Sequence, residues 1–551
     1  MQSRRLVLVL TGIAVALIVV IGGLVIVTST GGGGGPSGGG NPSGSPLPER
    51  VAGELRLFGP DPITLDPACA SDAGSAEYIV EVFSGLVSFD KDLKIIPDIA
   101  QSYDISDDGK VYTFHLRSNV LFHDSSRRVT AADFKFSMER ALNPKTQSTV
   151  GEVYLDDLAG AKELISGKAK SVSGIVAVED NTLQLTIGAP NPVFLQKLTY
   201  PTAYVVDQRQ VGDATCFEGA NWTRKPNATG PFRLKEWLLS RRITLEPNQS
   251  YYLDPKPALA KVTYVLSGGS PLVMYENGEI DITGVGLNDI ERVRDPSDPL
   301  NKEYKEAPSL DVTYIGFNTQ GKPFSDPKVR QALNMAVDRD FLASEFLNKL
   351  VLPAKGVLPP GIPGYNPGLQ GAKFDPQAAA RLLDEAGGAK LLDGVKLLTS
   401  GQGAAPSNIL QAVSAMWKQN LGVDISIEQE DFGLFLRDID SGSFQMFSLG
   451  WVADYPDPQN FLEIKFRSDS ANNETKYSNP QVDRLLDQAR AEKDQQKRLQ
   501  LYQQAEKQIV DDAPWVPLYH SKSSFLTKPY VQGFFAPPFV IPNLRYVTVS
   551  R

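Results

Sequence analysis

Hydrophobic residues recur with two different periods along the chain, which separates a strand-rich first half from a helix-rich second half. Residues 111–116 alternate between apolar and polar positions, with Tyr112, Phe114 and Leu116 on one face, and residues 182–187 alternate in the same way. Alternation places every second side chain on the same face of a strand. Both segments are therefore predicted to be strands.

The helices of the second half are indicated mainly by the residues at their ends. Aspartate or asparagine followed by proline, a common arrangement at a helix start, occurs at Asp326, Asp375 and Asn479. Apolar residues then recur at helical spacing, and the glycine pair at 387–388 ends the second of these helices. A capping box over residues 130–133 predicts a further helix. We expect an α/β or mixed α+β protein of more than one lobe, without internal repeats.

The N-terminal segment has the pattern of a membrane anchor. Two arginines precede residues 6–27, an apolar run of about 22 residues that would reach roughly 33 Å as a helix. Positive charge on this side favours a cytoplasmic N-terminus, with the rest of the chain outside the membrane. Residues 1–28 are predicted to be an uncleaved signal-anchor, and residues 29–50 a flexible linker rich in glycine, serine and proline.

Two other interpretations of this segment remain open. A cleaved secretory signal normally has a shorter apolar stretch of about 7–15 residues before its cleavage site, and residues 27–30 match such a site poorly. A lipoprotein signal needs a cysteine just after the apolar run, but the first cysteine is Cys69. We expect the globular part to be anchored to the cytoplasmic membrane and to lie outside it, in the periplasm or outside the cell.

Composition narrows the classes of function. The chain of 551 residues is 42% hydrophobic and 22% charged, which suffices for packed cores in two or three lobes. Its net charge of -9 argues against nucleic acid as a partner. The three histidines are widely spaced and the two cysteines lie far apart, so neither a metal site nor a cofactor is expected.

The two cysteines and the lack of enzyme motifs give two further expectations. Outside the cytoplasm, Cys69 and Cys216 are candidates for a disulfide, and two buried free thiols are the alternative. Apart from a Gly-x-Ser-x-Gly match at residues 35–39 within the glycine-rich linker, the sequence contains no such motif, no Walker loop, no His-Glu-x-x-His motif and no context typical of a cysteine nucleophile. An enzyme is therefore not expected, and no catalytic residue is assigned.

Short motifs spread over almost the whole exported part carry a family resemblance. In chain order they are residues 63–67 (ITLDP), 81–87 (EVFSGLV), 107–117 (DDGKVYTFHLR), 229–232 (TGPF), 317–318 (FN), 323–333 (PFSDPKVRQAL) and 450–458 (GWVADYPDP). With these motifs in this order and spacing, the chain resembles the peptide- and nickel-type extracytoplasmic solute-binding proteins of ABC importers. That family contains the oligopeptide- and dipeptide-binding proteins.

The resemblance implies a three-lobed fold of the periplasmic-binding-protein type (type II, Venus-flytrap) with an extra inserted lobe. Lobe I would combine residues 51–77, 194–268 and 520–551, lobe II would be inserted at residues 78–193, and lobe III would hold residues 269–519. A ligand would lie between two lobes that close around it by a hinge motion.

The resemblance also suggests where the ligand binds. In peptide-binding relatives, an aspartate of the tryptophan-containing signature captures the α-ammonium group of the ligand, and Asp454 has that position here. A buried ammonium group needs a close counter-charge and hydrogen bonds, and a carboxylate supplies both. Trp451 and Tyr455 are expected beside it. Leu65 and Asp66, in a segment that looks like the family's first strand, are expected to offer main-chain hydrogen bonds to an extended ligand.

The identity of the ligand stays open at this stage. A nickel complex, an oligosaccharide or an opine is the main alternative to a short peptide, and a sensory receptor without a permease is another. The lipid-attachment cysteine common in Gram-positive relatives is missing. The expected partners are a short peptide, an ABC permease with its ATPase subunits, and the membrane through the N-terminal helix. The protein is expected to be a monomer.

Overall fold

The structure, a computed structural model, describes residues 47–217, 220–401 and 406–551, together with the backbone of residues 18–21 and 24–27. The strands are β1 Ile18–Ile21, β2 Leu24–Val27, β3 Glu54–Phe58, β4 Val87–Phe89, β5 Ile95–Pro97, β6 Ala100–Ile105, β7 Val111–Leu116, β8 Ile175–Glu179, β9 Thr182–Thr186, β10 Phe232–Leu238, β11 Arg242–Pro247, β12 Lys261–Val265, β13 Ile282–Gly284, β14 Tyr304–Pro308, β15 Asp311–Phe317, β16 Val351–Pro353, β17 Lys396–Ser400, β18 Ser426–Glu430, β19 Met446–Val452, β20 Trp515–Thr527, β21 Val531–Gln532 and β22 Thr548–Val549. The α-helices are α1 Ala73–Val82, α2 Ala131–Leu142, α3 Gly151–Leu155, α4 Ala161–Ile165, α5 Phe194–Lys197, α6 Gln208–Val211, α7 Pro271–Glu276, α8 Ile290–Arg294, α9 Pro327–Met335, α10 Arg339–Phe341, α11 Pro376–Ala386, α12 Asn408–Leu421, α13 Phe432–Ser441, α14 Gln459–Phe466, α15 Pro480–Ala491 and α16 Gln495–Asp512.

The predicted starts of three helices in the second half are confirmed. Asp326 precedes α9 and accepts a hydrogen bond from the backbone N–H of Lys328 at 2.9 Å. Asp375 and Asn479 cap α11 and α15 in the same way. Each cap is followed by proline, whose missing amide hydrogen costs nothing in the first turn. The predicted end of α11 is confirmed as well, since Gly387 follows it with a φ of 123° that favours glycine.

One twelve-stranded sheet extends through both halves of the molecule. Its strand order is β10-β11-β12-β3-β13-β20-β15-β19-β17-β18, and β14 and β16 also pair with β20. Residues 515–519 of β20 pair with β15, whereas residues 525–527 pair with β13. At about 3.3 Å per residue, this strand of 13 residues spans roughly 43 Å. A single strand thus belongs to both halves of the sheet.

A second, smaller sheet is inserted between two strands of the large one. It contains β6, β7, β9 and β8 in that order, all antiparallel. The two strands predicted from alternation are β7 and β9, which are direct neighbours in it. The chain leaves the large sheet after β3 and returns to it at β10, so this part is an insertion.

Buried apolar residues form three clusters that follow this architecture. One cluster joins β3, α1, β10 to β12 and the C-terminal residues. Another lies beneath α9, α11 and α12. The third contains residues of the inserted sheet together with residues of β15, β19 and α14 to α16. In this structure, apolar contacts therefore extend from the inserted part to the helical half.

Two of the expected lobe boundaries fall inside single elements. The boundary at 77/78 divides α1, although Tyr78 and Val82 of this helix pack in the same cluster as Leu55 of β3. The boundary at 519/520 divides β20. Neither boundary is marked in the sequence by a change of composition or by turn residues. The sequence alone therefore did not show that α1 and β20 continue across these positions. The structure favours an insertion that begins after α1, and the lobe boundaries stay a prediction.

The segment with Leu65 and Asp66 is not a strand, contrary to expectation. The first strand of the large sheet is β3, and residues 63–66 follow it as an irregular segment. Pro60, Pro62 and Pro67 lack the amide hydrogen that a sheet ladder requires, which explains why pairing stops before them.

The expected membrane-spanning helix is not shown. Of the apolar run at residues 6–27, the described stretches are β1 and β2, which pair as antiparallel strands. Both consist largely of isoleucine and valine, whose branched side chains favour an extended backbone. The rest of the predicted anchor and the linker up to residue 46 lie outside the described residues. Within the described part of the chain, no helix is both long and apolar enough to cross a membrane.

Candidate ligand-binding site

Asp454 lies in the loop between β19 and α14, at the carboxyl end of a strand of the large sheet. Its Oδ2 accepts hydrogen bonds from the Tyr154 hydroxyl at 2.5 Å and from the Asn460 side-chain N–H at 2.9 Å. The Asn460 side-chain oxygen accepts a hydrogen bond from the backbone N–H of Asp454 at 3.0 Å. Groups from two distant parts of the chain therefore fix the orientation of this carboxylate.

The second oxygen of this carboxylate has a different environment. Among the described residues, none donates a hydrogen bond to Oδ1 of Asp454, and this oxygen is not fully enclosed. Burial raises the pKa of Asp454 to about 6, although the hydrogen bonds from Asn460 and Tyr154 and the nearby Lys465 ammonium group lower it. A carboxylate with one oxygen held and the other open is suited to accept a hydrogen bond from a cation.

Tyr154 is itself held by an aromatic stack. It lies in α3 of the inserted part, and its ring is parallel to that of Tyr200, with centroids 3.7 Å apart and an interplanar angle of 7°. The Tyr200 hydroxyl donates to the backbone oxygen of Ala70 at 3.0 Å. These contacts connect the loop after β3, the inserted part and the Asp454 loop.

Trp451 lies next to Asp454 and shares a partner with it. Its indole N–H donates to the backbone oxygen of Asn460 at 3.1 Å. The Lys465 ammonium nitrogen lies 4.1 Å from the centroid of the Trp451 ring, and Lys465 also pairs with Glu474. Asn460 thus positions both the tryptophan and the aspartate of the predicted signature.

Tyr455 is fully buried beneath the loop, and its hydroxyl donates to the side-chain oxygen of Gln459. Two residues further on, Asp457 accepts two hydrogen bonds from the Arg498 guanidinium group, at 2.9 and 2.6 Å. The loop that carries Asp454 is therefore tied to α16 by a buried bidentate ion pair, which makes it a rigid support.

The structure does not bring the side chains of Leu65 and Asp66 to the Asp454 carboxylate. Leu65 is fully buried in the cluster around β3. The Asp66 carboxylate accepts two hydrogen bonds from Arg140 of α2, at 2.9 and 2.5 Å, and a third from the backbone N–H of Ala68 at 3.0 Å. Arg140 also donates to the backbone oxygen of Ala214 at 2.9 Å. The Asp66 side chain is thus engaged within the protein.

A disulfide lies next to this ion pair. Cys69 and Cys216, the two cysteines of the sequence, are bonded to each other, with their Cα atoms 5.5 Å apart and a sequence separation of 147 residues. The bond joins the loop after β3 to the segment after α6. It therefore closes a covalent loop that contains the whole inserted sheet.

The histidines do not form a metal site. His115 contacts Asp104, whereas His123 and His520 are buried and bond to backbone oxygens of Gly230 and Asp311. Over residues 47–217, 220–401 and 406–551, no three histidine, cysteine or acidic side chains are grouped so that they could hold a metal ion.

Comparison with known proteins places the chain in a family. The model for the middle part of family 5 of the bacterial extracellular solute-binding proteins matches residues 94–473. The periplasmic oligopeptide-binding protein OppA of Salmonella typhimurium is 32% identical over 494 residues, which cover 87% of this chain and 89% of that protein. The chain belongs to family 5 of the extracellular solute-binding proteins. The family resemblance predicted from the short motifs is confirmed.

Solved structures of family 5 proteins share the fold. The murein tripeptide binding protein MppA of Escherichia coli superposes with a TM-score of 0.80 at 29% identity, covering 90% of this chain and 98% of MppA. A structure of MppA described as the unliganded open form gives a TM-score of 0.65 at the same identity, covering 92% and 99% of the two chains. The predicted α/β periplasmic-binding-protein-like fold is confirmed.

Two residues of this candidate site were not predicted from the sequence. Tyr154 lies in a short helix without any motif, 300 residues before Asp454, and no local pattern connects the two. Asn460 lies six residues after Asp454 and two residues beyond the 450–458 motif, and its full burial is visible only in the structure. A buried amide requires hydrogen-bond partners nearby.

Proposed function

We propose that this family 5 protein is the extracytoplasmic receptor of an ABC importer and that Asp454 binds the N-terminal ammonium group of a short peptide. The observation that carries the proposal is the asymmetry of the Asp454 carboxylate. Its Oδ2 is held by Tyr154 and Asn460, while no described residue donates to Oδ1. An incoming ammonium group supplies a donor and the opposite charge at the same point.

Burial makes this pairing selective for cations. In a partly desolvated site, an ionised carboxylate without a counter-charge is costly, which is why the pKa of Asp454 is raised to about 6. A cation at Oδ1 offsets that cost, whereas a neutral ligand does not. Trp451, which already carries Lys465 against its ring, and the buried Tyr455 would form the wall beside the ammonium group.

The two sides of the site come from different parts of the fold. Tyr154 belongs to the inserted part and Asp454 to the helical half, so their contact is made when these parts approach each other. A ligand enclosed at this contact would be held from both sides. Main-chain hydrogen bonds to the ligand from residues 64–66 would use the Thr64 oxygen or the Leu65 backbone, because the N–H groups of Thr64 and Asp66 donate to the Ser75 and Thr64 hydroxyl groups and the Asp66 oxygen accepts from Cys69. This role leaves the Asp66–Arg140 pair undisturbed.

The relatives and the disulfide support an extracytoplasmic location. OppA of Salmonella typhimurium is named as a periplasmic oligopeptide-binding protein, and MppA as a murein tripeptide binding protein. A disulfide persists in oxidising compartments and is rare in the cytosol. We propose further that residues 1–28 anchor the receptor in the cytoplasmic membrane, that it delivers its ligand as a monomer to a permease with its ATPase subunits, and that it catalyses no reaction.

Calorimetry with matched variants tests the binding proposal. Tri-alanine should bind the wild-type protein, and Asp454→Asn should weaken binding by at least roughly 2 kcal/mol, about 30-fold, because the counter-charge is lost. N-acetylated tri-alanine should bind wild type as weakly as tri-alanine binds the variant. Asp393→Asn, at an exposed aspartate without side-chain partners among the described residues, is the control and should have no effect. Equal affinity of wild type for both peptides would refute the role of Asp454.

A further inference from the structure

A small cavity of ≈ 50 Å³ lies in the part of the fold built around β3. It is bounded by the ends of β3, β12 and β13, by one face of α1, and by the C-terminal segment at residues 534–544. The residues that line it, all in the described part of the chain, do not include Tyr154, Trp451 or Asp454. The cavity is therefore distinct from the site proposed above.

Two glutamates of α1 face this cavity. Glu77 and Glu81 are four residues apart, so their side chains lie on the same face of the helix. Oε1 of Glu81 accepts hydrogen bonds from the backbone N–H groups of Asn543 and Leu544, at 2.7 and 3.0 Å. Glu81 is only 2% exposed, and its Oε2 is fully buried and has no hydrogen-bond partner among the described residues. Such an orphaned buried carboxylate oxygen indicates a missing donor.

One buried guanidinium group, that of Arg545, acts on Glu81, and its NH1 has no hydrogen-bond partner among the described residues. Within the described residues, neither Glu77 nor Glu81 forms an ion pair. The Arg545 guanidinium group lowers the pKa of Glu81, but its own contacts are the Tyr546 hydroxyl and the rings of Tyr251 and Tyr546. Burial dominates, and it raises the pKa of Glu81 to about 7. Burial and the neighbouring Glu81 charge together raise the pKa of Glu77 to about 8.

We propose that this cavity binds a primary ammonium group carried on a short alkyl stem. The two carboxylates form one wall, and they match the three N–H donors of an ammonium group. Much of the remaining wall is apolar, formed by Leu57, Ile282, Val540 and Ile541 among others. At about 10–15 Å³ for each water-sized group, the space suits a guest of roughly three to five heavy atoms. Two carboxylates suffice for this guest, whereas the described residues offer no cluster of three for a metal ion.

Proton release accompanies this binding. In the empty cavity Glu77 keeps its proton below about pH 8, and a bound cation stabilises the ionised form. The cation must therefore displace a proton at neutral pH, and its affinity rises as the pH increases towards 8 and above. A neutral ligand that accepts a hydrogen bond from the protonated carboxyl group would show the opposite pH dependence, with an affinity that falls as the pH rises.

Calorimetry with n-butylammonium tests the proposal on the full-length protein, with n-butanol as the uncharged comparison. Saturable binding of the amine but not of the alcohol is expected, with protons released and tighter binding at about pH 9 than at about pH 6. Glu77→Gln and Glu81→Gln should each weaken it at least roughly tenfold, because one charged partner is lost while the shape is kept. Glu291→Gln, at an exposed glutamate of α8, is the matched control and should bind like wild type. No saturable binding by wild type, or equal binding by all four proteins, would overturn the proposal.

The ammonium group has two possible sources, a free alkylamine or the lysyl side chain of a bound peptide. The peptide arm rests on the proposed function and compares Ala-Lys with Ala-norleucine. If the lysyl side chain occupies the cavity, Glu77→Gln weakens Ala-Lys but not Ala-norleucine, whereas Asp454→Asn weakens both. If n-butylammonium binding depends on Glu77 while Ala-Lys binding does not, the guest is a free amine. If only Asp454→Asn weakens the binding of both peptides, and neither wild type nor any variant binds n-butylammonium, the proposed function is retained and the cavity site is rejected.

Discussion

The Tyr154 hydroxyl donates a 2.5 Å hydrogen bond to the Asp454 carboxylate, which lies 300 residues further along the chain. Tyr154 comes from the inserted part, and Asp454 follows a strand of the helical half. Because Tyr154 is also stacked on Tyr200, the donor is positioned before any ligand arrives. The contact therefore connects two parts of the fold through the same carboxylate that we propose as the ligand's counter-charge.

Removal of the tyrosine hydroxyl should weaken ligand binding while leaving the ring stack in place. We expect Tyr154→Phe to lower the affinity for tri-alanine about tenfold, since a hydrogen bond to a charged group contributes about 1.5 kcal/mol. The same hydrogen bond lowers the pKa of Asp454, so the variant should need a higher pH for full binding. Calorimetric titrations at several pH values measure both effects. Wild-type affinity at every pH would show that the hydroxyl has no part in binding.

Peptide affinity should depend on pH through Asp454. Its pKa of about 6 in the empty site means that the carboxyl group is neutral at lower pH and must lose its proton before it pairs with an ammonium group. Affinity should therefore fall by up to tenfold per pH unit below about 6 and level off above it. Asp454→Asn should remove this dependence in the same range. A wild-type curve as flat as that of the variant would contradict the assignment.

The disulfide should contribute substantially to stability. It closes a loop that spans 147 residues of sequence, so chain-entropy arguments give a ceiling of about 5 kcal/mol. The double variant Cys69→Ser/Cys216→Ser should unfold at a clearly lower denaturant concentration than the oxidised protein, with a similar slope. Added reductant should destabilise wild type and leave the double variant unchanged. Equal midpoints for the two oxidised samples would contradict this expectation.

Asp66 should matter for folding rather than for ligand affinity. Asp66→Asn leaves the buried Arg140 without its counter-charge, and loss of one partner of a buried pair costs about 3–5 kcal/mol. Asp424→Asn, which breaks an exposed pair with Lys418, is the matched control and should cost less than about 1 kcal/mol. Denaturant unfolding and calorimetry on both variants separate the two roles. Unchanged stability with strongly reduced peptide affinity would assign Asp66 to the ligand instead.

Local patterns predicted the elements well, because the forces that define them act between near neighbours. The proline-containing helix starts at Asp326, Asp375 and Asn479 all hold in the structure. The alternation of residues 111–116 correctly gave β7. Continuity over long distances was not visible in the sequence. The run around Leu65 resembled a strand, but the prolines on both sides exclude it from the sheet, and nothing in residues 515–527 indicates that this strand serves two halves.

Only part of the binding site could be predicted from the sequence, because its residues come from distant parts of the chain. Asp454 and Trp451 lie in one contiguous signature, so the resemblance located them, and the structure places them around Asn460. Tyr154 reaches them from a different part of the chain through tertiary packing, which no local pattern encodes. Asp66 was expected near the ligand on the strength of its motif, but only the fold reveals that Arg140 lies opposite its carboxylate.

The long strand β20 has a mechanical consequence. Because its two ends are bonded into different halves of one sheet, those halves cannot slide past each other without breaking ladder hydrogen bonds. The middle of the strand is bonded as well, since residues 519–521 pair with β16 and residues 522–526 pair with β14. A relative rotation of the two halves must therefore twist β20 together with these two short strands, which stiffens the connection between the halves.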